Sequence, residues 1–262
     1  MGFLQKDRYA VEDLLGIVEL LRTECPWDSE QTHESIRKNF IEETYEAVEA
    51  IDTGDTALLR EELGDVLLQV VFHTQMEKER GHFDFSDVCD VVCKKLINRH
   101  PHVFGAIKAK NAEQALKSWD EIKRVEKERQ TATQSLSDVP RALPALMRAQ
   151  KVQQRAAKAG FDYPDVAMAI GDMHSEVEEV AGAFASGNPA ALEEELGDLI
   201  FSAVNISRFA RVDAEEALTK SCDKFIKRFE QVEALASESG IDIQNASIQT
   251  LDNLWAEAKK SK

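Results

Sequence analysis

The sequence predicts an all-α protein made of two similar helical-bundle domains in tandem. Helical spacing of apolar residues runs through nearly every segment, and strand-like alternation is absent. Only 12 glycines and 6 prolines punctuate the 262 residues. An acidic pattern also occurs twice at an offset of 133 residues, so that Glu62-Leu63-Gly64-Asp65 corresponds to Glu195-Leu196-Gly197-Asp198. This ordered match indicates duplication of one helical unit.

The duplication extends well beyond the acidic pattern. An aromatic-Asp turn lies upstream of it, and a basic pair and a tryptophan lie downstream. The matched positions are Pro26-Trp27-Asp28 with Gly160-Phe161-Asp162, Asp84 with Asp213, Lys95 and Arg99 with Lys224 and Arg228, and Trp119 with Trp255. We therefore expect an N-terminal domain over residues 1–130 and a C-terminal domain over residues 136–262, with a linker in the polar stretch 130–137.

The charge and cysteine content narrow the class of protein. With 32 Lys and Arg against 48 Asp and Glu the formal charge is −16, which repels nucleic acid, although a bound metal would still admit a small phosphorylated substrate. The four cysteines include no Cys-x-x-Cys pair, and no basic start precedes a long apolar run near the N-terminus. The most apolar stretch, residues 66–72, is too short to cross a bilayer. We expect a cytoplasmic protein with no nucleic acid or membrane partner.

The first acidic helix is predicted over residues 36–51. One broad arc of it is expected to face the core: Ile36, Phe40, Ile41, Thr44, Tyr45, Ala47, Val48 and Ile51. Glu43 lies at the border of this arc and Glu46 just beyond it, so their spacing of three makes them neighbours on one face. Glu42 points to the far side and is interpreted as a solvated charge. The second copy supports this division, because Ser175 replaces Glu42 whereas both other acids are kept.

The second acidic helix is predicted over residues 63–76, and its first half is apolar almost all round, as in a buried helix. Glu62 and Asp65 are expected at its start, and Glu195 and Asp198 take these places in the second copy. Burying an unpaired carboxylate costs several kcal/mol, so these groups need a compensating charge. A divalent cation supplies it.

A glycine separates the two acids of this second helix in both copies, at Gly64 and at Gly197. A glycine inside a helix costs about 1 kcal/mol relative to alanine. Close approach of a second helix or of a ligand would explain why this cost is tolerated twice.

Placement and duplication together predict two metal sites. The expected ligands are Glu43, Glu46, Glu62 and Asp65 in the first half and Glu176, Glu179, Glu195 and Asp198 in the second. An all-oxygen set without histidine suits Mg²⁺, with Mn²⁺ as a substitute, rather than zinc or iron. The alternative is a solvated helix face, which is how we interpret Glu193 and Glu194.

The remaining polar candidates admit more than one interpretation. The basic pairs and tryptophans are Lys95, Arg99 and Trp119 in the first half and Lys224, Arg228 and Trp255 in the second. A basic pair spaced by four either clamps phosphate or keeps the helix soluble, and a tryptophan either stacks on a base or anchors a core. Two Glu-x-x-His spacings, at residues 30–33 and 79–82, are absent from the second half and are attributed to chance. Cys89 and Cys93 share a helix face and are predicted to be small core residues.

The paired pattern Glu-Glu-x-x-Glu and Glu-x-x-Asp resembles the signature of the MazG nucleoside triphosphate pyrophosphohydrolases, within the all-α NTP pyrophosphohydrolase superfamily. Three further segments resemble the two-domain bacterial members: Cys25-Pro26-Trp27-Asp28, the run RHPHVF at residues 99–104 and the run PRALPALMRAQ at residues 140–150. The resemblance covers nearly the whole chain. It implies tandem helical domains, a homodimer, and Mg²⁺-dependent hydrolysis of nucleoside triphosphates to the monophosphate and pyrophosphate.

The resemblance also implies roles by position. In each half the four acids would hold Mg²⁺, while the basic pair and the tryptophan would hold the nucleotide. The one departure is Ser175, where the family motif has its first Glu, and this is the position that the helix face needs least. We expect a carboxylate oxygen of Glu46 or Glu179 to accept the proton of the attacking water.

Two other classes of function fit the same pattern. One is a non-catalytic sensor that binds Mg²⁺-nucleotide and regulates a partner, and the other is a structural helical dimer whose acids are solvated. Each half keeps its four acids and its basic pair, so the sequence allows either one or two active halves, and no residue can be assigned to recognition of a particular base.

Overall fold

The computed structural model describes residues 6–105, 111–112, 114–116, 118–119, 122 and 131–260. Within these residues every regular element is a helix and no strand occurs, so the predicted all-α class is confirmed. The contacts divide the chain into two compact units, residues 1–127 and 128–262. No helix among the described residues combines the length and the apolar character needed to cross a membrane.

The first unit is built around one long helical hairpin. Its described helices are α1 (Val11–Glu24), α2 (Pro26–Glu30), α3 (Arg37–Thr53), α4 (Thr56–Glu79), α5 (Phe85–Arg99) and α6 (Pro101–Phe104). α3 and α4 form the hairpin, and α1 and α5 pack against α4. A buried core forms where these elements meet, and its members are Val18, Ile36, Val71, Phe72 and Met76.

The second unit repeats the hairpin in a different surrounding. Its helices are α7 (Ala132–Ser137), α8 (Ala145–Lys158), α9 (Val166–Ser186), α10 (Pro189–Phe209), α11 (Ala214–Glu238) and α12 (Ile248–Ala258), with a 3₁₀ turn at Ile243–Asn245. α9 and α10 form the hairpin, and α8 packs against α10 and α11. α12 packs on the end of α11 through a buried cluster of Val232, Ala236, Leu254 and Ala258.

The polar stretch expected to be a linker is partly helical. α7 covers Ala132–Ser137, begins with a Thr131 side chain that accepts a bond from the Gln134 backbone N–H, and packs against α8. Residue 130, where the expected N-terminal domain ends, lies outside the described residues. The domain limits 1–130 and 136–262 therefore stay a prediction.

Both hairpins are closed by the same turn. Gly54 ends α3 with φ +70°, and the Asp55 carboxylate then accepts two backbone N–H bonds from the first turn of α4. Gly187, with φ +67°, and Asn188 do the same between α9 and α10. Positive φ is available to glycine without strain, so the chain reverses within two residues. Such a short turn makes the two helices antiparallel neighbours.

The repeat continues at the next helix. The Asp84 side chain accepts backbone N–H bonds at the start of α5, and its match Asp213 does so at the start of α11. Aspartate at this position satisfies N–H groups that have no partner within the helix. The two basic pairs therefore lie on corresponding helices, α5 and α11.

The predicted core face of α3 is only partly buried. Ile36 and Ala47 are 5% and 7% exposed, as expected. Thr44 and four apolar members of the arc lie on the surface of the first unit, where Ile41 is 50% exposed, Tyr45 48%, Val48 45% and Ile51 61%. The reason is that α1 and α5 pack against α4 rather than against the outer flank of α3.

Three further expectations are corrected. The second acidic helix begins at Thr56 rather than Leu63, so Glu62 and Asp65 lie in its interior. The matching helix α10 is less buried than predicted, with Ile200 53% and Phe201 43% exposed. Cys93 is exposed and is not a core residue, because α5 turns that face to solvent within the described unit.

Candidate functional site

The hairpin geometry brings the predicted acids of each half together. Glu46 and Glu62 are both eight residues from Gly54 (54 − 46 and 62 − 54), and Glu43 and Asp65 are both eleven residues from it. In an antiparallel pair of helices, residues at equal distances from the turn lie at the same height. With all four side chains on the facing sides, the short turn at Gly54 places the carboxylates opposite one another.

The first-half acids form a tight cluster between α3 and α4. Glu43, Glu62 and Asp65 can each present an oxygen within 4.8 Å of the others. Glu62 is buried, with 9% of its surface exposed. Glu46 completes the group, because its charge acts on both Glu43 and Glu62. Glu42 is exposed, in agreement with its interpretation as a solvated charge.

The second-half acids form the matching cluster between α9 and α10. Glu176, Glu179 and Glu195 can each present an oxygen within 4.8 Å of the others, and the charge of Asp198 acts on two of them. Ser175 faces the same cluster, since its hydroxyl donates to Glu179 Oε1 at 3.4 Å. Although Ser175 departs from the family motif, it still offers Glu179 a polar hydrogen-bond partner.

Burial and mutual repulsion raise the pKa values of the clustered carboxyls. Burial, and then the charges of Asp65 and Glu46, raise the pKa of Glu43, while burial and the same two neighbours raise that of Glu62. The pKa of Glu176 and that of Glu195 are raised by burial and then by Glu179. Carboxylates held together in this way favour a cation. Because every donor is an oxygen, the clusters fit a hard divalent ion such as Mg²⁺.

One acid of the second half was not singled out from the sequence. Asp172 lies one turn before Glu176, and its charge contributes to the raised pKa of Glu176. Burial, and then the neighbouring Asp172, raise the pKa of the Tyr163 hydroxyl. The spacing of four between Asp172 and Glu176 was a usable signal. It was hidden because the first half has Asn39 at the matching position, so the repeat did not mark it.

Lys224 and Arg228, two of the three predicted nucleotide residues of the second half, lie on a basic groove of α11. The groove has a volume of about 370 Å³ and is lined by Lys220, Asp223, Lys224, Lys227, Arg228 and Gln231. Lys220 and Lys227 were not predicted, although their spacing from Lys224 places all of them along one side of the helix. In the first half Lys95 is exposed, and the Arg99 guanidinium carbon lies 5.4 Å from the centre of the Trp119 ring.

Trp255 is held in place by its surroundings. Its ring centre lies 5.2 Å from that of Phe225 on α11, with the planes tilted by 41°, and it borders the buried cluster at the end of α11. The Lys259 ammonium lies 5.9 Å from the same ring. Trp255 thus anchors α12 to the helix that carries Lys224 and Arg228.

The helix glycines between the acids have no close neighbour within the described residues. A Cβ atom placed on Gly64 or on Gly197 would meet nothing within 4 Å. The expectation of a second helix packed closely on these glycines within its own unit is therefore wrong. Close approach of a ligand stays a prediction.

Comparison with known proteins places these features in a known group. The family described as the MazG nucleotide pyrophosphohydrolase domain matches residues 31–104 and 167–233, which hold the two carboxylate clusters and both basic pairs. A nucleoside triphosphate pyrophosphohydrolase of Escherichia coli (strain K12) is 42% identical over 255 residues, covering 95% of this chain and 97% of the relative. A nucleoside triphosphate pyrophosphohydrolase/pyrophosphatase MazG of Thermotoga maritima is 42% identical over 250 residues, covering 95% of each chain.

Proposed function

This chain belongs to the MazG nucleotide pyrophosphohydrolase family, and from that premise we propose a metal-dependent nucleoside triphosphate pyrophosphohydrolase whose metal sites are the two carboxylate clusters. Water would attack the α-phosphorus, the bond to the oxygen that bridges the α and β phosphates would break, and the products would be the nucleoside monophosphate and pyrophosphate. The observation that supports this best is the presence of the same four acids on facing helices in both halves.

We propose Mg²⁺ as the metal, with Mn²⁺ as a substitute. In the first half the ligands would come from Glu43, Glu46, Glu62 and Asp65, and in the second from Glu176, Glu179, Glu195 and Asp198. When bound, the ion supplies positive charge against the triphosphate. The all-oxygen donor set and the raised pKa values of the clustered carboxyls support this choice.

The protein's own residues would complete the reaction. A carboxylate oxygen of Glu46 or Glu179 would accept the proton that the attacking water loses, since both belong to the clusters. Lys224 and Arg228, and Lys95 and Arg99 in the first half, would stabilise the charge that develops on the leaving pyrophosphate. The aromatic rings would hold the base, with Trp255 packed on Phe225.

Product analysis tests this function directly. The purified protein, incubated with a nucleoside triphosphate and Mg²⁺, is expected to release monophosphate and pyrophosphate in equal amounts. Release of orthophosphate alone would contradict the cleavage site. Tight nucleotide binding without turnover would instead support a sensor. The variants Asp65→Asn and Asp198→Asn, assayed separately, would then assign the activity to one half or to both.

We also propose that the protein is a homodimer whose interface includes the outer flank of α3. Ile41, Tyr45, Val48 and Ile51 form an apolar stripe that none of the described helices of the first unit covers. Exposed apolar patches of this kind favour association. Light scattering after size-exclusion chromatography should give twice the monomer mass for the unsubstituted protein. The double variant Val48→Glu, Ile51→Glu should give the monomer mass. An unchanged mass in that variant would contradict the use of this face.

A cytoplasmic location is proposed on the state of the cysteines. Cys25, Cys89, Cys93 and Cys222 are all free thiols in the structure. Free thiols persist in reducing compartments. Quantitative thiol labelling of the protein taken from intact cells is expected to find all four reduced.

A further inference from the structure

A network of three histidines and a glutamate lies in the first unit, apart from the acidic cluster. His33 precedes α3, His73 and Glu77 lie one turn apart on α4, and His82 follows α4. His33 Nδ1 lies 2.6 Å from His73 Nδ1, and His33 Nε2 lies 2.6 Å from Glu77 Oε1. His82 Nδ1 lies 2.7 Å from Glu77 Oε2. These contacts join the segment before α3 to the C-terminal end of α4.

The contact between His33 and His73 depends on a single proton. The ring planes differ by 5° and the ring centres are 5.0 Å apart, as expected when two imidazoles meet edge to edge through one N–H···N bond. One Nδ1 must donate and the other must accept. His33 Nε2 faces a carboxylate and therefore donates to it. The bridge holds when neither ring is charged or when His33 alone is charged, and it breaks when His73 becomes charged as well.

The surrounding charges favour the state with His73 neutral. Burial, and then the nearby His33, lower the pKa of His73 from its ordinary 6.5. Bonds from His82 and His33, and from Arg80 Nη1 at 2.8 Å, lower the pKa of Glu77 to about 2, so its carboxylate stays charged in mild acid.

Among the described residues, His33 is the neighbour whose charge acts on the pKa of His73. α3 presents the Phe40 ring, whose centre is 5.6 Å from that of His73. Glu34 is a carboxylate near His33 and Arg80, and its pKa is lowered mainly by bonds to its own backbone and to Thr32. The charges that α1 brings to α4 are paired: Arg22 with Glu79 and Glu19 with Lys78.

We propose that this network is an acid-sensitive latch, which holds the segment before α3 on α4 while at least one of His33 and His73 is neutral and releases it when both carry a proton. The sign follows from linkage. A histidine whose pKa is lower in the folded state stabilises the fold fully above its ordinary pKa, and this contribution is lost as the pH falls below 6.5. The latch is independent of the proposed enzymatic function.

The second unit supplies an internal control. Its residues at the matching positions are Val166, Ile206, Ala210 and Arg211, none of which can form such a bridge. The acidic clusters, by contrast, occur in both units. A pH effect of the clusters would therefore appear in both units, whereas opening of the latch would appear in the first unit alone.

Hydrogen exchange on the full-length protein tests the latch. Protection factors, corrected for the intrinsic pH dependence of exchange, are compared at pH 7.5 and pH 4.8 for residues 36–43 and for the matching residues 169–176. The ratio of first-unit to second-unit protection is expected to fall on the order of tenfold in acid. In the variant His73→Asn, whose Oδ1 replaces Nδ1 as an acceptor but takes up no proton, the ratio should stay constant. His100→Asn, which removes a different imidazole of the first half, should behave like the unsubstituted protein.

Two results would overturn the latch. One is an equal loss of protection in both units of the unsubstituted protein, and the other is a fall in the ratio for His73→Asn as large as that without the substitution. Should His73→Asn not fold, the imidazole signals of the unsubstituted protein give a second measure. Proton uptake by His73 and the loss of protection must then share one midpoint, and two separate midpoints would also overturn the proposal.

Discussion

Arg22 of α1 and Glu79 of α4 form a two-pronged ion pair that fixes the aromatic-Asp turn of the first half. Arg22 Nε donates to Glu79 Oε1 at 3.0 Å, and Nη2 donates to Oε2 at 2.6 Å. The Nη1 group of the same arginine donates to the carbonyls of Asp28 and Gln31 at 2.5 and 3.0 Å. The side chain of Arg22 is only 10% exposed. One guanidinium therefore ties α1, α4 and the turn that carries Trp27 together.

Replacing Arg22 by alanine is expected to destabilise the first unit by about 2 kcal/mol, because Glu79 and the backbone carbonyls of Asp28, Ser29 and Gln31 lose their partner in a half-buried site. This value is smaller than the cost of breaking a fully buried ion pair, because 36% of the Glu79 side chain is exposed. Urea denaturation followed by circular dichroism measures the change. Lys78→Ala is the control, since its pair with Glu19 is about half exposed and should contribute less than about 0.5 kcal/mol. Equal effects of the two substitutions would contradict this account.

The carboxylate clusters were predictable because repetition and helix spacing both mark them. A duplicated pattern on two consecutive helices needs only a short turn to bring its acids together, and Gly54 provides it. The exposed flank of α3 could not be predicted in the same way. Periodicity shows that Tyr45 and Val48 share an apolar face, but it does not show which helix covers that face. In the structure none of the first unit's described helices does.

The histidine network was missed for a related reason. Spacing in the sequence drew attention to residues 30–33 and 79–82, yet the glutamate that His33 and His82 share is Glu77. His33 lies 40 residues from His73 and 44 from Glu77, so only the packing of the segment before α3 on α4 brings them together. The second half offered no matching pattern as a guide. The two Glu-x-x-His spacings themselves have no role in this network, because Glu77 belongs to neither of them.

The metal ligands can be tested by removing one charge at a time. Glu62→Gln and Glu195→Gln are each expected to weaken Mg²⁺ binding at their own cluster at least tenfold, because each removes a charged oxygen donor with little change in size. Titration calorimetry with Mg²⁺ measures the affinity. Asp52→Asn is the control, since Asp52 is exposed near the C-terminal end of α3, six residues beyond Glu46. If all three variants bind Mg²⁺ as the unsubstituted protein does, the clusters are not metal sites.

The clusters should also set part of the pH dependence of stability. The pKa values of Glu43, Glu62, Glu176 and Glu195 are raised above their ordinary 4.5, so the folded state binds more protons than the unfolded state just above that pH. This contribution to the free energy of unfolding therefore falls as the pH rises above 4.5. Without metal, the double variant Glu62→Gln, Glu195→Gln should gain thermal stability relative to the unsubstituted protein as the pH rises.

Thermal melts at pH 5 and pH 7.5 give this comparison, and the double variant keeps every other titrating group, His73 included. With Mg²⁺ at pH 7.5 the unsubstituted protein should become more stable than the double variant, because only the unsubstituted protein has the full set of donors that the ion binds. A double variant that is less stable than the unsubstituted protein at pH 7.5 without metal would show that the acids do not repel one another.

The basic groove of α11 can be separated from the metal site by its kinetic effect. Lys224→Met should raise KM for the nucleoside triphosphate about tenfold, since it removes one phosphate-binding charge. Arg228→Lys should have a smaller effect of the same sign, because lysine keeps the charge but loses the two-pronged contact of the guanidinium. Steady-state pyrophosphate release measures both. Lys151→Met is the control, since Lys151 is exposed on α8 and its replacement should leave KM unchanged. If KM is unchanged in all three variants, the groove is not part of the substrate site.

The glycines between the paired acids give the sharpest separation of stability from function. Alanine at Gly64 or Gly197 meets no atom within 4 Å and should stabilise its helix by about 0.5–1 kcal/mol. If a bound nucleotide approaches the backbone at these positions, the same methyl group should lower pyrophosphate release while thermal stability rises. Gly182→Ala on α9 is the control, because it also meets no atom within 4 Å and should stabilise without loss of activity. Full activity in both Gly64→Ala and Gly197→Ala would show that no ligand comes close to either glycine.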